Sequence, residues 1–306
     1  MSIAPYLKEI GRGKDGARAL PRDKAFDLMS RLLDGQLSDL EKGGFALAMR
    51  IKGETPEELA GFMDAVVPRT LALHSTSPAV VLPSYNGARK LPNLTPLLAL
   101  LLAREGVPVL VHGPLTDATR TTSAQVFDAL GLPPLRTAAE AEARWAAGQP
   151  VFMPIDALHP SLAGLLALRA VLGLRNSGHT LAKLLPAVPH ALRVVNHTHP
   201  EYATSLAEFL TLTQASALLL RGTEGEPVAD ARRLPALKCF VGGVLDESLS
   251  VEPQGGSLAA LPELPGGIDA AGTAETIRAM LDGRVAVPEP IARQVQCLLA
   301  LRRHLG

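Results

Sequence analysis

The sequence predicts an α/β protein: a small N-terminal all-helical subdomain, then a larger α/β domain with a mainly parallel sheet covered by helices. Three observations carry this. Up to about residue 75 the apolar residues recur only at helical spacing. From Pro78 onward, short apolar runs alternate with helix-length stretches, the pattern of a parallel sheet buried on both faces. The stretch 107–131 shows one unit at its clearest. An apolar run (107–111) lies between Gly106 and Gly113, a polar loop runs from His112 to Arg120, and a Thr/Ser cluster caps a helix over 123–130 that stops at Gly131. Such a unit sets loop amides and a helix start at the carboxyl edge of the sheet, where anions bind.

Taken in order, residues 1–35 give a basic leader (Lys8, Arg12, Lys14, Arg18) and then a helix with Phe26, Met29 and Leu33 at helical spacing. The leader reads either as an anion-binding arm or as a solvated first helix. Ser38 and Glu41 form a capping box for a second helix, and Thr55 and Glu58, with Pro56 between them, form another for a third. Gly43 and Gly44 near the start of the second helix predict close packing against a neighbouring helix. This division places a helical subdomain at 1–75 and an α/β domain at 76–306. Within the second, strands are expected near 79–82, 107–111, 150–153, 192–196, 217–220 and 237–241. Helices are expected near 94–104, 123–130, 138–146, 161–172, 202–212, 273–281 and 291–304. Residues 244–272, rich in Gly and Pro, read as an irregular excursion.

Composition narrows the function. The 306 residues carry 30 basic and 30 acidic side chains, so no global field draws in polyanions and any anion site must come from local clustering. The most apolar run, 94–103, is too short to span a bilayer and contains Pro96. Residues 1–20 are polar and charged, unlike a secretory leader. Cys239 and Cys297 lack metal-ligand or redox spacing and read as buried thiols. The expectation is a cytoplasmic protein with no membrane contact. Serine hydrolase, P-loop, helix-turn-helix, zinc-finger and RNA-recognition motifs are all missing from the sequence.

The crossover before the 107–131 unit also runs strand, polar loop, helix, with Asn93 and Thr95 at the helix start. With the helical leader that includes residues 52–66, this arrangement resembles the anthranilate phosphoribosyltransferase family over residues 20–221. It looks most similar to the divergent YbiB-like branch, described as nucleic-acid-binding. The resemblance implies that the helical subdomain, joined by helices from 161–186, forms a homodimer interface. In that family a glycine-rich loop ending in aspartate cradles the pyrophosphate of phosphoribosyl pyrophosphate, because the backbone must approach the phosphates closely. Counted back from Asn93, the loop here is Pro83-Ser84-Tyr85-Asn86-Gly87, with most glycines gone and Gly87 in the aspartate's place. Arg89 and Lys90 follow it. The family's Lys-His-Gly-Asn turn reads Val111-His112-Gly113-Pro114, and Gln125 stands where the family has aspartate. The acidic pair that holds magnesium falls, by spacing from Gly222 and Gly225, on Pro227 and Val228. Glu224 and Glu226 fit only by a shifted register. These losses imply no cofactor and no magnesium requirement, with Gly87, Asn93, Thr95 and Gly113 left as remnants of the donor site.

What survives is basic. Arg169 and Arg175 match arginines of the family's acceptor side, and Lys183 follows. Residues 157–200 contain no Asp or Glu but carry those three, Arg193 and five histidines. A positive segment in a neutral protein is the footprint of a phosphate-backbone contact, although arginines also satisfy helix C-termini. The candidate phosphate contacts are therefore Arg89, Lys90, His112, Arg120, Arg169, Arg175 and Lys183, with no catalytic or metal-ligating residue assigned. The reading is non-sequence-specific binding of a DNA or RNA backbone by a homodimer. The rival is an active glycosyl- or phosphoribosyl-transferase with an altered donor or acceptor, kept open by Asn93, Thr95, His112, Arg169 and Arg175.

Overall fold

The computed structural model describes residues 2–13, 15–261 and 266–305; Lys14 of the basic leader lies outside them. Four helices open the chain: α1 (Ala4–Ile10), α2 (Arg22–Leu33), α3 (Asp39–Lys52) and α4 (Pro56–Val66). Both expected capping boxes are made, Ser38 with Glu41 and Thr55 with Glu58. Glu58 does more than cap. Its fully buried carboxylate accepts the Leu20 N–H at 2.9 Å and pairs with Lys52 Nζ at 2.6 Å, tying the incoming chain to α3 and α4. Of the leader's described cations, Lys8 lies on α1, and Arg12 and Arg18 follow in the irregular stretch before α2. Close helix packing occurs at Gly61, where an added Cβ would lie 2.3 Å from Arg22 O, and not at Gly43, which has open space beside it. Gly44 faces Leu7 of α1, so this small-residue patch is covered by the chain's own first helix.

The α/β region follows as β1 (Val80–Pro83), α5 (Thr95–Arg104), β2 (Val109–Gly113), α6 (Ser123–Ala129), α7 (Ala138–Ala146), β3 (Val151–Pro154), α8 (Ile155–Leu158), α9 (Pro160–Leu172), α10 (Ser177–Leu184), β4 (Leu192–His197), α11 (Glu201–Leu212), β5 (Ala217–Arg221), β6 (Leu237–Val241), β7 (Val244–Val251), α12 (Ala270–Leu281) and α13 (Glu289–Arg302). The strands form one sheet in the order β3-β2-β1-β4-β5-β6-β7, with β1 to β5 parallel and β6 and β7 antiparallel. Alternate strand residues feed two cores. Val80, Leu82, Val109, Val111 and Val194 face α5, α6 and α13, whereas Val81, Leu110 and Val195 face the helical bundle with α9 to α11. The bundle is thereby welded to one face of the sheet.

Several elements depart from expectation, α1 and α8 as added helices, and β7 and α10 most of all. Strand β7 lies in what reads as an irregular stretch. Gly242 and Gly243, both at positive φ, make the two-residue turn that pairs Val241 with Val244. Helix α10, capped by Asn176, occupies part of the basic segment. Cys239 and Cys297 are both buried, and their sulfurs lie 3.2 Å apart across β6 and α13, a proximity invisible at 58 residues' separation. Among the described residues no helix is long and apolar enough to cross a membrane.

The topology also selects the site. The chain builds outward from β1 through β2 to β3, then returns to lay β4 on the other side of β1. Ligands of open parallel sheets bind beyond the strand carboxyl ends at such a switch point. Here that crevice lies between the 84–91 loop after β1 and the end of β4.

Candidate functional site: an amide cradle filled by carboxylates

The loop after β1 turns its backbone N–H groups inward, and a carboxylate from the loop after β5, two strands away at the same sheet edge, meets them. Glu226, in the loop after β5, is buried. Its Oε1 accepts the N–H groups of Asn86 and Gly87, both at 2.8 Å. Its Oε2 is surrounded by hydroxyls: Ser84, with Thr95 at 3.3 Å and Ser123 at 3.4 Å. Two amides and three hydroxyls around one buried anion are the donor set of an oxyanion cradle. Glu224, two residues earlier, holds the next part of the same loop. Its carboxylate accepts from the amides of Lys90 at 2.9 Å, Leu91 at 3.0 Å and Arg89 at 3.2 Å, with Arg120 Nη1 at 3.7 Å.

Close approaches shape this cradle. Gly113 passes so near the β1 loop that a Cβ there would lie 1.9 Å from Ser84 O. Gly87, at φ +66°, would press against Arg120 and Thr121. Gly225 at φ +87° has Asn86 Nδ2 where its Cβ would stand. Asn93 supports the arrangement from below: its Oδ1 accepts from Thr95 N–H and Ser123, and its Nδ2 donates to Thr121 O.

The predicted cations distribute unevenly around this centre. Arg175 Nη1 donates to Asn86 Oδ1 at 2.7 Å, and Lys183 Nζ donates to Asn196 Oδ1 at 3.1 Å and Gly225 O at 3.0 Å. Burial pulls Lys183 down to about 8, against the opposing pull of Glu226, and lowers Arg175 as well. Arg89 and Lys90 contribute their amides to the cradle while their side chains stand exposed. Arg120 donates to Gly87 O at 3.1 Å. Arg169 lies 3.7 Å from Asp117 with nearly half of its side chain exposed.

His112 is corrected as a phosphate contact. It is fully buried, shares a 2.7 Å hydrogen bond with the Tyr85 hydroxyl and is pushed down to about 3 by burial, so it offers no charge to an anion. The positive segment 157–200 is not one surface either. Arg193 points inward to Leu184 O, His159 caps α9 from the core, and burial pushes His179 down to about 4. What remains is a cleft of about 560 Å³ between the end of α3 and the sheet edge, where Arg50, Arg120, Arg175 and Lys183 face Glu54 and Glu201. Sequence reasoning missed Ser84, Ser123 and the inward role of Glu226, for which no local spacing gives a signal.

Comparison with known proteins fits this geometry. Residues 4–69 match a family model described as the helical bundle domain of a glycosyl transferase family. The chain is 42% identical over 307 residues to the Escherichia coli (strain K12) protein named Uncharacterized protein YbiB, covering 98% of this chain and 94% of that one. It is 31% identical to an anthranilate phosphoribosyltransferase of Leifsonia xyli subsp. xyli (strain CTCB07), across 84% of this chain and 74% of the relative. The chain belongs to the anthranilate phosphoribosyltransferase-like family. The crystal structure of the Thermus thermophilus anthranilate phosphoribosyltransferase shares the fold, with a TM-score of 0.72 at 24% identity over 98% of this chain and 94% of that one.

At the positions where the resemblance places the donor motifs, the chain's own carboxylates meet the loop amides. The Asn86 and Gly87 amides that would approach a phosphate already hold Glu226. Pro227 and Val228, where spacing places the metal pair, are buried. The two nearby carboxylates, Glu224 and Glu226, point at amides and hydroxyls rather than at a shared cation position. Among the described residues no group of three or more His, Cys, Asp or Glu side chains is arranged to hold a metal ion.

Proposed function

We propose that this protein binds nucleic-acid backbone without sequence specificity, as a homodimer, on a phosphoribosyltransferase-like scaffold that no longer takes the phosphoribosyl donor. The observation that carries the reading is the Glu226 carboxylate lodged in the cradle after β1, buried among two amides and three hydroxyls that a pyrophosphate would otherwise use. Phosphate contact is supported by the cations left outside it. Arg89 and Lys90 are exposed, Arg120 and Arg169 are partly so, and the adjoining cleft carries Arg50, Arg175 and Lys183. The resemblance to the YbiB-like branch points to the same class of ligand. Aromatic side chains are few around the cleft, so backbone charge rather than base stacking carries the affinity. Dimerisation is supported by exposed apolar side chains on the bundle, Leu40, Leu47 and Ile51 on α3 and Val171 at the end of α9. A dimer presents each basic edge twice and gains from effective concentration.

The test pairs two measurements. A gel-shift series with duplexes and single strands of unrelated sequence is run from low to physiological salt, beside a thermal-shift titration with phosphoribosyl pyrophosphate and magnesium. The reading expects binding of all sequences with steep salt dependence, and no magnesium-dependent stabilisation. No shift at any salt, together with strong magnesium-dependent stabilisation, overturns it in favour of a transferase.

A further inference from the structure

Glu226 and Glu224 both hold loop amides, but they are not equivalent. Glu226 is sealed in, among two amides and three hydroxyls. Glu224 keeps 15% of its side chain exposed, and its donors are three consecutive amides, Arg89, Lys90 and Leu91, plus a more distant guanidinium. Three successive N–H groups converging on one oxyanion form a nest, a general phosphate-binding device. Glu224 is delivered to that nest by a strained turn. It adopts φ +51°, a conformation rare for a residue with a Cβ, between Gly222 and Gly225.

The nest borders a second cavity, about 600 Å³, on the β5–β6 side of the sheet edge. Leu91, Glu224 and Leu234 line it together with Arg221, Arg233, Lys238 and the ion pair of Arg232 with Asp230 at 2.8 Å. The Arg233 side chain donates to Gly256 O, while those of Arg221 and Lys238 make no hydrogen bond or ion pair among the described residues. The cavity therefore carries uncommitted positive charge beside an amide nest whose occupant is a carboxylate on a tense, glycine-flanked turn.

We infer that Glu224 is a displaceable stand-in for phosphate: a phosphate group entering from the Arg221/Lys238 cavity takes over the Arg89–Lys90–Leu91 amides, and the carboxylate swings aside on its turn. The carboxylate keeps the loop built when no phosphate is present and sets a threshold that a ligand must exceed. The group arrives either on a nucleic-acid strand, in which case this regulates the proposed binding function and rests on it, or on a small phosphorylated molecule.

The experiment compares wild type with Glu224→Ala and Glu224→Gln, each checked for native circular dichroism. Inorganic phosphate binding is measured by calorimetry at constant ionic strength, and a 12-nucleotide single strand by fluorescence anisotropy. Removing the stand-in is expected to tighten phosphate binding at least tenfold in the alanine variant. Adding Lys238→Ala is expected to reverse most of that gain. If phosphate affinity stays within twofold of wild type in both folded variants, the inference fails, whatever the strand does. A tighter strand with unchanged phosphate also sinks it, because deleting any negative charge near a cationic edge favours a polyanion. If neither variant folds, Glu224 is a structural fastening and the inference falls. Tighter phosphate with tighter strand binding assigns the seat to the nucleic acid. Tighter phosphate with an indifferent or absent strand response keeps the seat, assigns it to a small phosphorylated ligand, and counts against the nucleic-acid reading alone.

Discussion

Glu226 Oε1 accepts the Gly87 N–H at 2.8 Å across 139 residues of chain, and this contact closes the switch-point crevice of the sheet. Gly87 stands where the family's phosphate loop ends in aspartate, and its φ of +66° turns the amide inward. A carboxylate and a phosphate ask the same thing of such an amide, an N–H directed at an oxyanion. The chain therefore supplies its own anion to the amides of this loop. The loop after β1, the start of α6 and the loop after β5 are consequently fastened to one another through a single side chain.

Glu226→Ala is expected to lower stability by roughly 2–6 kcal/mol, since the Asn86 and Gly87 amides lose their acceptor at about 1–3 kcal/mol each. Urea denaturation followed by circular dichroism reads this directly. A loss below about 0.5 kcal/mol, the scale of an ordinary surface change, would show that water replaces the carboxylate without cost and that the fastening role is wrong.

How much of this is legible in the sequence follows from distance along the chain. The capping boxes at Ser38 and Thr55, the helix Ala138–Ala146 and strands β1 to β6 are local signals, and the structure places them where periodicity does. Strand β7 is obscured because an edge strand with polar residues facing outward resembles the Gly/Pro-rich stretch that follows it. The basic segment misleads for a different reason: charge counts along the chain do not report direction, and Arg193 and His179 point inward. Glu226 shows in the sequence only as a carboxylate near the metal-pair position; its inward role gives no signal, because its partners lie more than 100 residues away and a lone glutamate after a strand usually faces water.

Acid should weaken the fold through His112. Burial holds its folded pKa near 3, below the ordinary value of 6.5, so the unfolded chain binds the proton first. Its contribution is complete above about pH 6.5 and is lost as pH falls toward the folded value, at about 1.4 kcal/mol per pH unit for one proton. Stability measured from pH 6 to pH 4 in the wild type and in His112→Phe should show a shallower decline in the variant by close to that slope. Parallel declines would mean that His112 is solvated in the folded protein.

The proposed dimer should depend on the exposed apolar side chains of the bundle rather than on Gly44, which Leu7 already covers. Ile51→Asp together with Val171→Asp, both at exposed positions, should leave the monomer folded and raise the dimer dissociation constant roughly a hundredfold or more by sedimentation velocity. A dimer of unchanged affinity would place the interface on another face.

The side chains of Arg89 and Lys90 provide the sharpest test of the nucleic-acid reading. Their amides hold Glu224, whereas the side chains stand free in solvent, so alanine at both positions leaves the loop's hydrogen bonds intact. Stability should change by no more than about 0.5 kcal/mol, as for surface positions generally. If each side chain neutralises one phosphate, the slope of log affinity against log salt should flatten by about 1.8 on duplex DNA, or about 1.4 on a single strand. All sequences should weaken alike, because backbone contacts carry no base information. A double variant that binds with unchanged affinity and slope removes this loop from the contact surface. The contact would then belong to the cleft cations Arg50, Arg120 and Arg175, and Arg175→Ala, which also loses Asn86, would separate the two by weakening binding and stability together.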